Sequence, residues 1–264
     1  MNINYESINE KHVNSAVNLV LSAYNKERRV VTILPDYNNK FKIIKDSIKN
    51  LFCNGTGIAA IQKGKMIGYI AGYEIDELFG KCRGVYSPLY GHGAIRKFRN
   101  KIYHNLYQRA AEIWIENMCM THAVTLFAHD QKVVNTWFWL GFGNRCIDAI
   151  RKVSPIPSSN KYILIKKVEK NVELNDVSKI ANLEGDITKY LNKSPMFMPR
   201  VNNEPVNNLY NWLQKEDHHQ WIAYLEEEPV GYMKIEPEGE TFVAQHKNVM
   251  NITGAYVCDE YRSS

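Results

Sequence analysis

No apolar run in this chain approaches the roughly 20 residues that a membrane-spanning helix needs, so no membrane partner is expected. The first ten residues, Met1 to Glu10, are polar and lack a signal-peptide core. Cysteine is scarce: Cys53, Cys82, Cys119, Cys146 and Cys258 stand singly, and no two form a C-x-x-C pair. An odd number of scattered cysteines argues against a disulfide framework and predicts reduced thiols in a cytoplasmic protein. Positive charge is not concentrated either. The net charge is +5 over 264 residues, and no basic stripe alternates with aromatics. Nucleic-acid binding is therefore not expected. Metal-ligand spacing is also missing: His218 and His219 are adjacent, and neighbours rarely ligate one ion, so no metal is expected. Glu226-Glu227-Glu228 reads as a solvated turn.

Hydrophobic residues make up 45% of the chain and charged residues 23%, enough to build a sizeable core. Asn2 to Ile8 alternates weakly, as an edge strand does. Val13, Ala16, Val17, Val20, Leu21 and Tyr24 then fall on one helical stripe. A second helix is predicted over Asn38 to Leu51, with Phe41, Ile44, Ile48 and Leu51 inward. Next comes a hairpin, Ile58 to Ile61 and Met66 to Ile75, turning at Lys63-Gly64-Lys65. A strand at Cys82 to Ser87, a loop at Leu89 to Arg99 and a helix from Asn100 to Asn117 follow. The last predicted elements before a break are a strand at Ala123 to Ala128, a helix at Gln131 to Leu140 and a strand at Arg145 to Val153.

Ser154-Pro155-Ile156-Pro157-Ser158-Ser159-Asn160 is the only Pro/Ser-rich stretch and reads as a linker. It divides a domain at 1–153 from a second at 161–264. The second is predicted to run strand (Tyr162 to Val168), helix, short helix (Asn208 to Lys215), hairpin (Trp221 to Leu225, Val230 to Ile235) and strand (Asn251 to Cys258). The pattern repeats the opening of the first. Met66-Ile67-Gly68-Tyr69-Ile70 matches Pro229-Val230-Gly231-Tyr232-Met233. Arg83-Gly84-Val85-Tyr86-Ser87 matches Thr253-Gly254-Ala255-Tyr256-Val257.

With these elements in order, the chain resembles the Gcn5-related N-acetyltransferase (GNAT) superfamily. Val124-Thr125-Leu126-Phe127-Ala128-His129-Asp130, then Trp137-Phe138-Trp139-Leu140-Gly141-Phe142, is similar to the family's fifth strand and fourth helix. Gly254 to Arg262 is similar to its fourth strand running into a pyrophosphate loop. The resemblance implies an α/β fold (an α+β mixed sheet), with one complete and one partial copy. It implies an N-acyltransferase that takes an acyl-CoA, by default acetyl-CoA, and acylates an amine of a small molecule or peptide. In that family the fourth and fifth strands splay apart, and the pantetheine arm pairs with the bared backbone.

The cofactor-binding residues so implied are Val85, Tyr86, Ser87, Arg96 and Arg99 in the first domain, and Ala255, Tyr256, Val257 and Arg262 in the second. Glu74 and Glu236 end the return strands and are candidate general bases; Tyr86 is a candidate acid. The first domain departs from the family pattern. Gly91 and Gly93 lie upstream of the expected glycine positions, Trp137 stands where Tyr is common, and Asp130 where Asn is common. Arg96, Lys97 and Arg99 either bind phosphate or form a solvated basic loop. His129-Asp130 is either an acid–base pair or a strand end and helix cap. The first domain is then a degenerate partner shaping the acceptor cleft, and the second would carry the CoA in an untruncated form; as it stands here, the second copy is expected to bind CoA poorly or not at all. The alternative is a non-catalytic GNAT-like scaffold that binds a ligand or partner. The strand at Asn251 to Cys258 leaves an open edge, expected to be covered by the first domain or by a second copy in a homo-oligomer.

Overall fold

The structure is a computed structural model; it describes residues 2–36, 41–155, 162–170, 174–193, 206–239 and 241–262. The chain divides into two compact units, Met1–Lys152 and Val153–Ser264. The predicted linker falls mostly outside the described residues, as does the predicted start of the second helix.

Unit 1 begins with β1 (Asn4–Ser7), α1 (Val13–Arg28), α2 (Phe41–Asn54), β2 (Thr56–Gln62) and β3 (Lys65–Ile75). It continues with β4 (Gly84–Ser87), β5 (His92–Ala94), α3 (Arg99–Glu116), β6 (Thr121–Val124) and α4 (Gln131–Trp139). The sheet runs β1-β2-β3-β4-β6, with β5 also on β3. All neighbours are antiparallel except β4 and β6, which are parallel. This is the mixed α/β sheet the sequence implies.

The helical stripes go where their period sends them. Val13, Ala16, Val17, Val20 and Tyr24 of α1 are buried, as are Ile44, Ile48 and Leu51 of α2. Across the sheet, Ile102, Leu106, Ala110 and Trp114 of α3 pack with Ile58, Ala60, Ile70 and Val85. Burying each such Val, Ile or Leu side chain contributes about 1.5–3 kcal/mol.

Two expectations fail here. No strand forms over Arg145 to Val153. Ile147 and Val153 are exposed, and Arg145 stacks on Phe79 instead, 3.7 Å from the ring centroid. A segment that finds no ladder partner does not hold as a strand. Phe41, expected inward, is more than a third exposed.

Unit 2 holds β7 (Ile163–Lys167), α5 (Leu174–Asn192), α6 (Val206–Gln214), β8 (His219–Leu225), β9 (Glu228–Glu236) and β10 (Asn251–Val257). They form an antiparallel sheet in the order β10-β9-β8-β7. Ile222, Tyr232, Leu209, Leu213, Val177 and Ile180 make the core on one face. On the other face Ile165, Met233 and Val257 stay exposed.

The two sheets share a register. In unit 1 Ile58 pairs with Ile70 and Ala60 with Gly68, and a bulge follows as Ile61 pairs with Met66. In unit 2 Trp221 pairs with Met233 and Ala223 with Gly231, and a bulge follows as Tyr224 pairs with Pro229. Ile67 and Val230 are thus the extra residues at equivalent places, both buried. The next strand carries the correspondence further. Gly68 faces Ala94, and Gly231 faces Val257. Ladder register therefore sets Gly254 to Val257 against Gly91 to Ala94, not against Gly84 to Ser87 as the sequence match suggests. By the same count Glu236 corresponds to Tyr73, one residue short of Glu74. Side chains alternate faces along a strand, so the two carboxylates project from opposite faces of their sheets.

Candidate functional site

β4 and β6 are joined over four residue pairs, from Gly84 with Thr121 to Ser87 with Val124. One further bond, Thr125 N–H to the Ser87 carbonyl at 3.0 Å, ends the ladder. The chain then turns at Pro88, where Gly91 N–H reaches the Pro88 carbonyl at 2.6 Å, and comes back onto β3 as β5. Gly91 is required at this turn. A Cβ there would lie 2.6 Å from Ser87 Oγ and 2.7 Å from the Ala71 carbonyl oxygen.

Beyond the turn the two neighbours of β3 and β6 diverge. Ala71 N–H bonds the Gly91 carbonyl and Ile95 N–H bonds the Ile67 carbonyl, so Gly91, Gly93 and Ile95 face β3. Antiparallel ladders alternate, so the N–H and C=O groups of His92 and Ala94 turn the other way. Among the described residues no strand runs along that edge.

In unit 1 side chains close the gap. His92 is buried, with one ring nitrogen 2.8 Å from the Thr125 carbonyl and the other 3.1 Å from the Tyr103 hydroxyl. The carbonyl can only accept, so Nε2 carries the proton and Nδ1 accepts from Tyr103. Burial pushes the imidazole down to about 4, against a smaller opposing pull from the Thr125 carbonyl. The ring is therefore neutral at pH 7. Tyr103 and Trp137 pack on it at 5.6 and 6.0 Å between centroids. The cavity nearby, lined by Ile67, Ile95, Phe98 and Ile102 among others, holds about 70 Å³. Small-molecule pockets usually hold about 300 Å³ or more.

In unit 2 the corresponding edge lies at the border of the sheet. Cys258 N–H bonds the Val230 carbonyl, so Tyr256 and Gly254 face β9 while Ala255 and Val257 present their backbone groups outward. Arg262 donates from Nε to the Val257 carbonyl at 2.8 Å, pairs with Asp259 at 2.8 Å and stacks on Tyr190 at 4.1 Å. A fixed guanidinium thus stands at the end of the open edge.

The other residues singled out from sequence are placed as follows. Val85 is buried in the core; Tyr86 and Ser87 share its ladder with β6. The Tyr86 hydroxyl lies 3.0 Å from Thr125 Oγ1. Glu74 accepts from Arg83 at 2.9 Å, Asn117 at 2.8 Å and Thr56 at 3.1 Å, clasping β2, β3 and the segment before β4. Arg99 pairs with Asp130, which also holds Lys26 at 2.9 Å. Burial alone would raise the Asp130 carboxyl, but these two cations hold it below its ordinary value. Arg96 lies exposed. His129 pairs with Glu27 of α1 at 2.6 Å rather than with its neighbour Asp130. Glu236 accepts the indole N–H of Trp212. Sequence reasoning missed His92 as a site residue. It lies in a stretch predicted as loop, and the only available signal was a run of small residues on either side of it.

No family model matches the chain, and no curated protein matches it. Among solved structures it is similar to an aminoglycoside acetyltransferase from an uncultured soil metagenomic sample. That match has 15% identity and a TM-score of 0.41, covering 58% of this chain and 100% of the other. It is also similar to a ribosomal-protein-alanine N-acetyltransferase from Brucella melitensis biovar Abortus 2308, at 12% identity and a TM-score of 0.41, again covering 58% and 100%. A third is a predicted acetyltransferase with acetyl-CoA from Clostridium acetobutylicum, at 17% identity and a TM-score of 0.43, covering 58% and 96%. At these values the likeness says nothing of substrate.

Proposed function

We propose that this chain is built for acyl-CoA-dependent N-acyl transfer as a tandem of two GNAT-like modules, with acetyl-CoA as the donor. Unit 2 offers the donor's arm a strand edge, and unit 1 is a module whose equivalent edge is sealed. The observation that carries this is the pair of corresponding edges. His92 and Ala94 in unit 1, and Ala255 and Val257 in unit 2, turn their backbone groups away from the ladder at the same register, the Val257 carbonyl being taken by Arg262 and the Ala255 groups lying outward. An extended pantetheine arm pairs with such an edge as an added strand does.

The chemistry asks little of the protein. The amine nitrogen attacks the thioester carbonyl, a C–N bond forms, the C–S bond breaks, and a proton passes from the amine to the thiolate. Glu74 and Glu236 are held by hydrogen bonds to neighbouring side chains, and in this proposal they anchor their sheets rather than take that proton. The Arg262 guanidinium, held at the Val257 carbonyl, stands at the end of that edge and suits a pyrophosphate.

The test is thermal-shift and calorimetric titration with acetyl-CoA. Wild-type protein is expected to bind. Ala255→Pro removes one outward N–H without touching the ladder bonds of Gly254 and Tyr256, and is expected to weaken binding up to about tenfold, the worth of one hydrogen bond. His92→Gln is expected to leave binding unchanged. Absence of acetyl-CoA binding by wild-type protein would end the proposal. The scaffold alternative is favoured by the His92 seal in unit 1, and its signature is acetyl-CoA binding without acylation of any amine in a panel of aminoglycosides, polyamines and peptides.

A further inference from the structure

The structure assigns to unit 2 a binding site for one first-row divalent cation, formed by His218, Glu236 and Glu238. These three can each offer one ligand atom, all within 4.8 Å of one another. The assignment rests on unit 2 alone and is independent of the acyl-transfer proposal.

The three residues meet because of the hairpin. His219 pairs with Ile235, which brings His218, just before β8, beside Glu236 at the end of β9. Glu238 follows two residues later. The His218 side chain is 1% exposed and lies against the Trp212 ring at 4.8 Å between centroids. Its Nε2 is 2.9 Å from Glu238 Oε2, a good hydrogen bond to a carboxylate. A carboxylate only accepts, so the proton sits on Nε2 and Nδ1 is left with a bare lone pair.

Nδ1 is buried and makes no hydrogen bond. It points at Glu236 Oε2, 3.5 Å away. Two electron-rich atoms thus face each other inside the protein. At 3.5 Å the pair is longer than an N–H···O bond usually runs. A divalent cation seated between the two atoms bonds to both. With metal–ligand bonds of about 2.0–2.1 Å in tetrahedral geometry, adjacent ligand atoms stand about 3.3–3.4 Å apart. Trp212 donates its indole N–H to the same Glu236 oxygen, orienting the carboxylate as outer partners of metal ligands do. Glu238 Oε2 holds the Nε2 proton and so acts as the outer carboxylate that fixes the tautomer, with water completing the ion's shell. One imidazole and one carboxylate, backed by a second carboxylate, suit Zn²⁺ or a neighbour of it better than Mg²⁺ or Ca²⁺.

The test uses the full chain, stripped with chelator and titrated with Zn²⁺ in competition with a chromophoric chelator. One saturable equivalent is expected, unaffected by excess Mg²⁺, and Co²⁺ in its place should give the visible absorption of a tetrahedral site. His218→Asn and Glu238→Gln are each expected to weaken Zn²⁺ at least tenfold. Glu238 is at the surface, so its variant decides the matter if the His218 variant fails to fold. Wild-type protein with no saturable equivalent, or a folded Glu238→Gln protein that binds as wild type does, overturns the assignment.

Discussion

His92 sits neutral in a place where the unfolded chain would let it titrate near 6.5. Its folded value is depressed to about 4 by burial. Below about pH 6.5 the unfolded state takes up a proton that the folded state refuses, so stability falls as pH drops from there toward 4. A shift of this size corresponds to about 3 kcal/mol at most. Thermal melts between pH 7 and pH 4.5 are expected to show this loss, and His92→Gln is expected to flatten it over the same window while lowering stability at pH 7. Glu74 makes a different prediction. Its carboxylate takes donors from Thr56, Arg83 and Asn117. Replacement by Ala leaves these donors without their acceptor and is expected to destabilise unit 1 by about 1–3 kcal/mol in denaturant melts, with no effect on acetyl-CoA affinity.

Helices were the legible elements. Ile102, Leu106, Ala110 and Trp114 declare the inner face of α3 by spacing alone, and all four are buried. Leu106→Ala is expected to cost about 2–5 kcal/mol, read as faster amide exchange in unit 1; Ile222→Ala should do the same in unit 2. The strands were legible as segments but not as partners. Thr121 and His122 carry no apolar signal, yet they begin β6, because Arg83 through Ser87 offers them a ladder. Arg145 to Val153 reads as a strand but forms none. Residues 254–257 read against 84–87 by identity of letters, while the ladder sets them against 91–94. Register depends on which backbone groups meet, and a bulge or turn outside the compared segment shifts it without leaving a mark inside it. For the same reason the closure at His92 was not legible: it depends on Thr125 and Tyr103, 33 and 11 residues away.

At the scale of the whole chain, each unit has its own core and its own sheet. The two sheets agree in strand order through the first four strands, in hairpin register and in the place of the bulge. They differ in what lies on the second face. In unit 1 α3 covers Ile58, Ala60 and Ile70. In unit 2 the corresponding Trp221, Ala223 and Met233 are half-buried or exposed. The candidate cation site belongs to unit 2 only, since Tyr73 in unit 1 takes the place of Glu236.

The bulge at Ile67 and Val230 has a consequence for how these hairpins can vary. Deleting either residue would close the bulge and keep the pairs on both sides of it, Ala60 with Gly68 and Ile61 with Met66, or Ala223 with Gly231 and Tyr224 with Pro229. A deletion at a paired position such as Ile70 or Met233 would instead slide the rest of that strand by one step and turn Tyr73 or Glu236 to the opposite face. Loss of the bulge residue, or insertion at the reversal loops Lys63-Gly64 and Glu226-Glu227, should therefore be tolerated far better than one lost codon at Ile70 or Met233.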